Sequence, residues 1–240
     1  MSFSKFTNIL SSISDGSIIK FKNRETAGKS LSYLLKRSFR NNQNDNKFIV
    51  VCIPRGGVIV GDVIARNFRF ILDIVLPKRL LSPGNKELTI GSVMKDGTYH
   101  LDNFMVNSLK ISNDYLEKEK NLKIKEIEER ETLYGKQIEG NKLKSKNIIL
   151  VDDGVATGST LIVASKWIKT FHPSHLTIAT PICSKDVLKF LKSEVNDVVS
   201  LINPLSRNFT TVSKFYQNFL PISDKQVLDV LKEYKLSECS

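Results

Sequence analysis

Two carboxylates in succession, Asp152 and Asp153, lead directly into Gly154-Val155-Ala156-Thr157-Gly158-Ser159-Thr160. The apolar run Ile148 to Val151 precedes them, and Leu161, Ile162, Val163, Ala164 and Trp167 follow in a helical pattern. The acids therefore belong at the carboxyl end of a buried strand, and the turn after them opens a helix. Such a turn presents free backbone N–H groups and the positive end of a helix dipole, which suit a phosphate. Ionised carboxylates only accept hydrogen bonds, so Asp152 and Asp153 suit vicinal hydroxyls or a hydrated metal ion. A ligand with a sugar diol at one end and a phosphate at the other matches both halves. The same residues also suit a plain polar turn with Thr or Ser as helix N-cap.

A second anion-binding candidate is Pro54-Arg55-Gly56-Gly57, where two glycines admit a close backbone approach and Arg55 adds a planar fork of donors. Lys78 and Arg79 are placed after the next strand, at the same edge. A mononucleotide P-loop is excluded, because Gly154 and Gly158 stand one residue too close and Ser159 replaces the required lysine. No G-x-G-x-x-G occurs, which removes the dinucleotide fingerprint.

These loops need a scaffold, and the hydrophobic pattern supplies one. Strands are expected at Phe48 to Ile53, Ile71 to Leu76, Ile148 to Val151, Leu176 to Thr180 and Val198 to Ile202. Helices are expected over 26–40, 57–68, 113–135, 159–170, 184–193 and 224–236. Residues 41–46 form a polar loop, residues 82–89 read as a loop, and Lys95-Asp96-Gly97 reads as a hairpin turn. The helix over 113–135 carries a thin stripe of Tyr115, Leu122, Ile127 and Tyr134 among Lys and Glu, with Asp114 and Glu117 as a capping box. It reads as a solvated surface helix. The alternation of strands and helices predicts one α/β domain over 1–240, a doubly wound and mainly parallel sheet flanked by helices. A small hood is assigned to 1–25 and 203–240.

The 240 residues carry a formal charge of +11 and 41% apolar residues, which fits a globular fold that attracts phosphate-rich partners. Lysines are spread along the chain rather than gathered in a tail, so nucleic acid is possible but not favoured. No apolar run approaches the ~20 residues of a membrane span, and the N-terminus lacks a signal-peptide core. Cys52, Cys183 and Cys239 show no metal-ligand spacing, and a reducing cytoplasm is the expected compartment. His100, His172 and His175 read as surface residues, so no Ser/His or Cys/His set is evident.

The acid pair and its turn resemble the signature of the type I phosphoribosyltransferases, which bind 5-phosphoribosyl 1-pyrophosphate. The resemblance implies that Asp152 and Asp153 take the ribose hydroxyls and that Val155 through Thr160 wrap the 5′-phosphate. It implies that residues 54–57, often with a cis peptide, hold pyrophosphate together with Lys78 or Arg79, and that Ser82 to Thr89 form a mobile lid. Asn85 and Glu87 become polar lid contacts of unassigned role. The order Pro-Arg-Gly-Gly-Val, Pro-Gly-Asn-x-Glu, Val-Asp-Asp-Gly-Val-Ala-Thr-Gly, and the tail with Pro204, Phe209, Phe215, Tyr216 and Phe219, is similar to a group within this family whose acceptor is not established. The implied reaction is a Mg²⁺-dependent transfer of the phosphoribosyl group to a nitrogen acceptor. Asp152 or Asp153 would hold a metal-bound water, and Arg55 and Lys78 would neutralise the leaving group. A homodimer is implied as well.

One position departs from part of the family. Ala156 stands where the 6-oxopurine enzymes carry an acid, which disfavours hypoxanthine and guanine. The hood aromatics either stack on a base or fill a core. Two further functions fit the same residues: a non-catalytic phosphoribosyl pyrophosphate sensor acting on nucleic acid or a protein, and a sugar-phosphate hydrolase with Asp153 as base. Asp153→Asn is expected to weaken sugar binding with little effect on folding.

Overall fold

The computed structural model describes residues 20–38, 48–206, 209 and 211–237. The polar loop at 41–46, Cys239 and the first 19 residues of the assigned hood lie outside them. The elements run α1 (Arg24–Ser38), β1 (Phe48–Cys52), α2 (Gly56–Phe68), β2 (Ile71–Ile74), β3 (Lys78–Ser82), β4 (Asn85–Val93), β5 (Tyr99–Leu101), α3 (Asn103–Ser108), α4 (Asn113–Tyr134) and α5 (Gly140–Leu143). They continue with β6 (Asn147–Val151), α6 (Ser159–Lys169), β7 (His175–Ile182), α7 (Lys185–Glu194), β8 (Asp197–Ile202), a 3₁₀ turn at Val212–Phe215 and α8 (Asp224–Ser237).

Five strands form a parallel sheet in the order β2-β1-β6-β7-β8. Alternation along β1 explains why its sequence is apolar throughout. Val50 and Cys52 pack on one face with Val58, Ile64 and Val227, from α2 and α8. Ile49 and Val51 pack on the other face with Leu161, Ala164 and Ile168 of α6. The fold is the doubly wound α/β arrangement expected from the sequence. Among the described residues, no helix is long and apolar enough to cross a membrane.

The segment after β2 differs from expectation. The second strand ends at Ile74, and Lys78 and Arg79 open β3 of a separate three-stranded antiparallel sheet, β3-β4-β5. The loop expected at 82–89 is instead the end of a β-hairpin, with only Pro83 and Gly84 between its strands. Gly84 has φ +78°, which lets the chain reverse there. Pro and Gly mark the turn, and short register irregularities beside Leu81 hide the strand alternation around it. The hairpin at 95–97 is present, with Met94 accepting from Gly97.

The long helix α4 is more deeply held than a solvated helix. Its N-cap is Ser112, whose hydroxyl accepts from Tyr115 N–H at 3.3 Å, rather than Asp114 with Glu117. Ile127 and Tyr134 are buried, whereas Leu122 of the expected stripe is 51% exposed. The buried Glu119 accepts the Leu81 amide at 3.0 Å, and Tyr115 donates its hydroxyl to the Leu81 carbonyl at 2.9 Å. The charged helix thus clamps the hairpin through polar side chains, which a hydrophobic pattern does not reveal. Two short helices, α3 and α5, were not expected; Asp102 caps α3 by accepting from Met105 N–H at 3.0 Å.

This packing separates two aliphatic positions on one helix. Ile127→Ala is expected to destabilise by about 2–5 kcal/mol, and Leu122→Ala to stay within about 0.5 kcal/mol of the wild type, both read by urea unfolding. Equal effects would return α4 to the status of a solvated surface helix.

Candidate functional site

Neighbouring strands β1 and β6 send their chains to opposite faces of the sheet. After β1 the chain enters α2, in the core layer with α8; after β6 it enters α6, in the other layer. A crevice at the carboxyl ends is the consequence of such a topological switch point, and ligands of open α/β sheets bind there. Its walls are the loop after β1, residues 54–57, and the loop after β6, residues 152–158. The two sequence candidates, about a hundred residues apart in the chain, are therefore brought together by topology.

They touch closely enough to require glycine. A Cβ on Gly56 would lie 1.8 Å from Asp153 Oδ2, and one on Gly57 would lie 2.7 Å from the Val151 carbonyl oxygen. The Pro54-Arg55 peptide between strand and glycines is cis. Arg55 is exposed, with its Nη1 3.8 Å from Asp224 Oδ1 on α8. The same Asp224 accepts from Arg130 Nη1 at 2.8 Å and from the Tyr134 hydroxyl. Those bonds hold the Asp224 carboxyl below the usual carboxylate range, chiefly through Tyr134; burial and the bond to Asp224 in turn push the Tyr134 phenol up to about 12 against the Arg130 charge.

The acid pair is not lost in the apolar core. Both residues are partly exposed, and each has one oxygen committed. Asp152 Oδ1 accepts the Asp153 amide at 2.8 Å, and Asp153 Oδ2 accepts Arg24 Nε at 2.6 Å. Among the described residues, no further donor outside the pair reaches either carboxylate. Burial and the adjoining Asp153 carboxylate push the Asp152 carboxyl well above its usual range, against the Asp153 amide and Arg24.

The turn after the acids fits an anion in part. Gly158, with φ +76°, is the N-cap of α6 and brings no side-chain cap, which excludes the Thr or Ser cap of a plain turn. Ala156 and Thr157 are exposed, and the amides of Ala156, Thr157, Gly158, Ser159 and Thr160 make no hydrogen bond among the described residues. Two members of the expected cradle are engaged elsewhere. The Val155 amide donates to the Ile182 carbonyl at 2.8 Å, because a short parallel bridge extends β7 alongside the turn. The Ser159 hydroxyl is buried and lies 2.7 Å from the Ser92 hydroxyl, tying the helix start to β4.

Lys78 is also committed elsewhere. Its ammonium lies 3.1 Å from Glu126 on α4, so the expected leaving-group contact is not preformed. Arg79 is exposed on β3, not at the end of β2. Asn85 and Glu87 are exposed on the hairpin, and Asn85 Oδ1 accepts the Glu87 amide at 3.0 Å. His175 pairs with Asp197 at 2.9 Å and His172 is exposed. His100 is half-buried, 3.4 Å from Lys166 Nζ, and burial foremost, with the Lys166 charge, lowers its pKa.

Sequence reasoning missed Arg24. The residue is 8% exposed, donates to the Leu220 carbonyl at 2.9 Å as well as to Asp153, and its guanidinium lies over the Phe219 ring at 3.7 Å. Tyr216, expected only as a hood aromatic that stacks on a base or fills a core, instead donates its hydroxyl to the Asp153 carbonyl at 2.7 Å. Burial pushes that phenol far above its ordinary value. Asn23-Arg24-Glu25 reads as an ordinary helix start, and nothing local marks Arg24 as a partner of the acid pair.

The geometry and the comparisons with known proteins agree. A model of the phosphoribosyl transferase domain matches residues 21–215. The chain belongs to the type I phosphoribosyltransferase family. It is 27% identical over 212 residues to Rv0571c of Mycobacterium tuberculosis, which is named provisionally as a phosphoribosyl transferase. That alignment covers 88% of this chain and 46% of the relative, so the chain spans about half the length of the curated relatives it matches. The crystal structure of TT1426 from Thermus thermophilus superposes with a TM-score of 0.69 at 29% identity, covering 90% of this chain and 99% of that one.

The Arg24 pair revises the expectation for Asp153→Asn. Removing one partner of a buried ion pair strands the other, so this variant is expected to lose about 3–5 kcal/mol of stability. Asp152→Asn is expected to behave in the opposite way. A carboxyl whose pKa is raised on folding stabilises the native state at low pH and loses that contribution as pH rises through the folded value. Asp152→Asn should therefore gain on the wild type at pH 8 and lose that advantage toward pH 4, as read by urea midpoints across the range.

Proposed function

We propose that the protein is a Mg²⁺-dependent phosphoribosyltransferase. It moves the 5-phosphoribosyl group of phosphoribosyl pyrophosphate to a nitrogen acceptor and releases pyrophosphate. The observation that carries this reading is the meeting of the acid pair with the Gly56-Gly57 loop in one crevice. In this reading the carboxylates of Asp152 and Asp153 accept the ribose 2′- and 3′-hydroxyls. The amides of Ala156 to Thr160 receive the 5′-phosphate at the start of α6. Residues 54–57 receive the pyrophosphate, with the exposed Arg55 turning from Asp224 to meet it.

The bond from ribose C1 to the pyrophosphate oxygen breaks, its electron pair leaves with pyrophosphate, and the acceptor nitrogen supplies the new bond. Groups that neutralise the departing oxygens lower the barrier. Mg²⁺ keeps several waters and binds largely through substrate phosphates, so it needs no dedicated cage of protein ligands. The hard oxygens of Asp152 and Asp153 fit a metal-bound water, and the ion would supply further charge neutralisation. The exposed Ala156 offers no acid to a 6-oxopurine, which favours another acceptor. We assign the hood to the two chain ends and expect a homodimer in a reducing cytoplasm.

The test is stability against urea with phosphoribosyl pyrophosphate, pyrophosphate or ribose 5-phosphate, each with and without Mg²⁺. Donor at 100 times its Kd should add about 2.7 kcal/mol. No response to any of the three sinks the proposal. Pyrophosphate release on adding nucleobases or amines then identifies the acceptor, whereas tight donor binding with no release identifies a sensor.

A further inference from the structure

Two segments far apart in sequence, residues 21–24 and 212–220, converge on the acid pair. Residues 21–22 lie alongside 215–218, with Phe21 N–H donating to the Phe215 carbonyl at 2.8 Å and Gln217 N–H to the Phe21 carbonyl at 2.8 Å. From this paired segment three contacts descend on residues 153–154. Arg24 grips the Asp153 carboxylate, the Tyr216 hydroxyl grips the Asp153 carbonyl, and Val212 packs on Gly154 so tightly that a Cβ there would lie 2.3 Å from its methyl.

Arg24 holds the central place. Its Nε stands 2.9 Å from the position of a Gly56 Cβ, so the guanidinium sits between the loop after β1 and the loop after β6. Its Nη1 reaches the Leu220 carbonyl, and the Phe219 ring covers its face. One cation therefore touches both walls of the crevice and the segment above them.

We propose that Arg24 is a positioning residue that couples the phosphoribosyl donor to residues 211–220. It aims the Asp153 carboxylate at the sugar, and it docks residues 211–220 on the donor site. This rests on the transferase reading above. The coupling follows from shared groups: a ligand that orders Asp153 also orders Arg24, and Arg24 orders Leu220 and Phe219.

Arginine is needed for both tasks, and lysine serves only one. A lysine at 24 retains a cation for Asp153 but lacks the planar fork and the face that stacks on Phe219. The experiment measures donor affinity by calorimetry with Mg²⁺ present, and hydrogen exchange of residues 20–24 and 211–220 with and without donor. In the wild type, donor should slow exchange in both segments. Arg24→Gln should weaken donor binding about tenfold or more, the loss of one charge-assisted hydrogen bond, and should abolish the donor-dependent protection. Arg24→Lys should recover most of the affinity but not the protection. Phe219→Leu, which leaves Arg24 beside Asp153, should lose protection while weakening the donor less than Arg24→Gln, and it carries the test if Arg24→Gln does not fold. Wild-type affinity in Arg24→Gln overturns the proposal. So do equal losses in Arg24→Gln and Arg24→Lys that track a lowered melting temperature, which indicate a purely structural ion pair. No donor binding by the wild type overturns the transferase reading itself.

Discussion

The divergence of the chain after β1 and β6 is the constraint on which the rest depends. Two adjacent parallel strands hand their chains to opposite faces, and ligands of open α/β sheets bind at the carboxyl edge where they part. Glycines at 56 and 57 let the two loops close to contact. A side chain at either position would push the walls apart and move the Asp153 carboxylate. The crevice is a product of topology, and its chemistry is a product of which residues the strands deliver there.

Polar contacts then fix the delivered groups. Asp153 is held by Arg24 and Tyr216, and the start of α6 is tied to β4 by the Ser159–Ser92 pair. The amides over 156–160 are left unoccupied among the described residues. The site is thus rigid in its supports and open in its ligating atoms, which is the arrangement expected where electrostatic preorganisation matters. The hairpin is anchored in the same style, by Glu119 and Tyr115 on either side of Leu81.

The sheet and the site core were legible because their signals are local. The apolar runs at 48–52 and 148–151 and the largely apolar 176–182 can be buried on both faces, and the acids follow one of them directly. The length of β2 was misjudged because Val75 and Leu76 are buried beyond the strand, so apolar character outlasts the pairing. Lys78 and Arg79 were displaced with it. The hairpin was read as loop because Pro83, Gly84 and Asn85 dominate its tip. Arg24, and the polar role of Tyr216, were invisible for a different reason: each works only through a contact far away in sequence. The charged face of α4 was mistaken for solvent contact because buried Glu119 accepts from the hairpin backbone and buried Lys123 donates to Glu126.

The grip of Arg24 and Tyr216 on Asp153 has a consequence for how the molecule is made. During synthesis the strands and the acid pair emerge well before residues 209–220, and Arg24 has no counterpart for its Leu220 and Phe219 contacts until those residues leave the ribosome. A nascent chain that has released residues through Ile202 but not yet Tyr216 has all five strands of the central sheet with Asp153 still unclasped by Tyr216. Ligand capture is thereby postponed until translation has passed the aromatic tail.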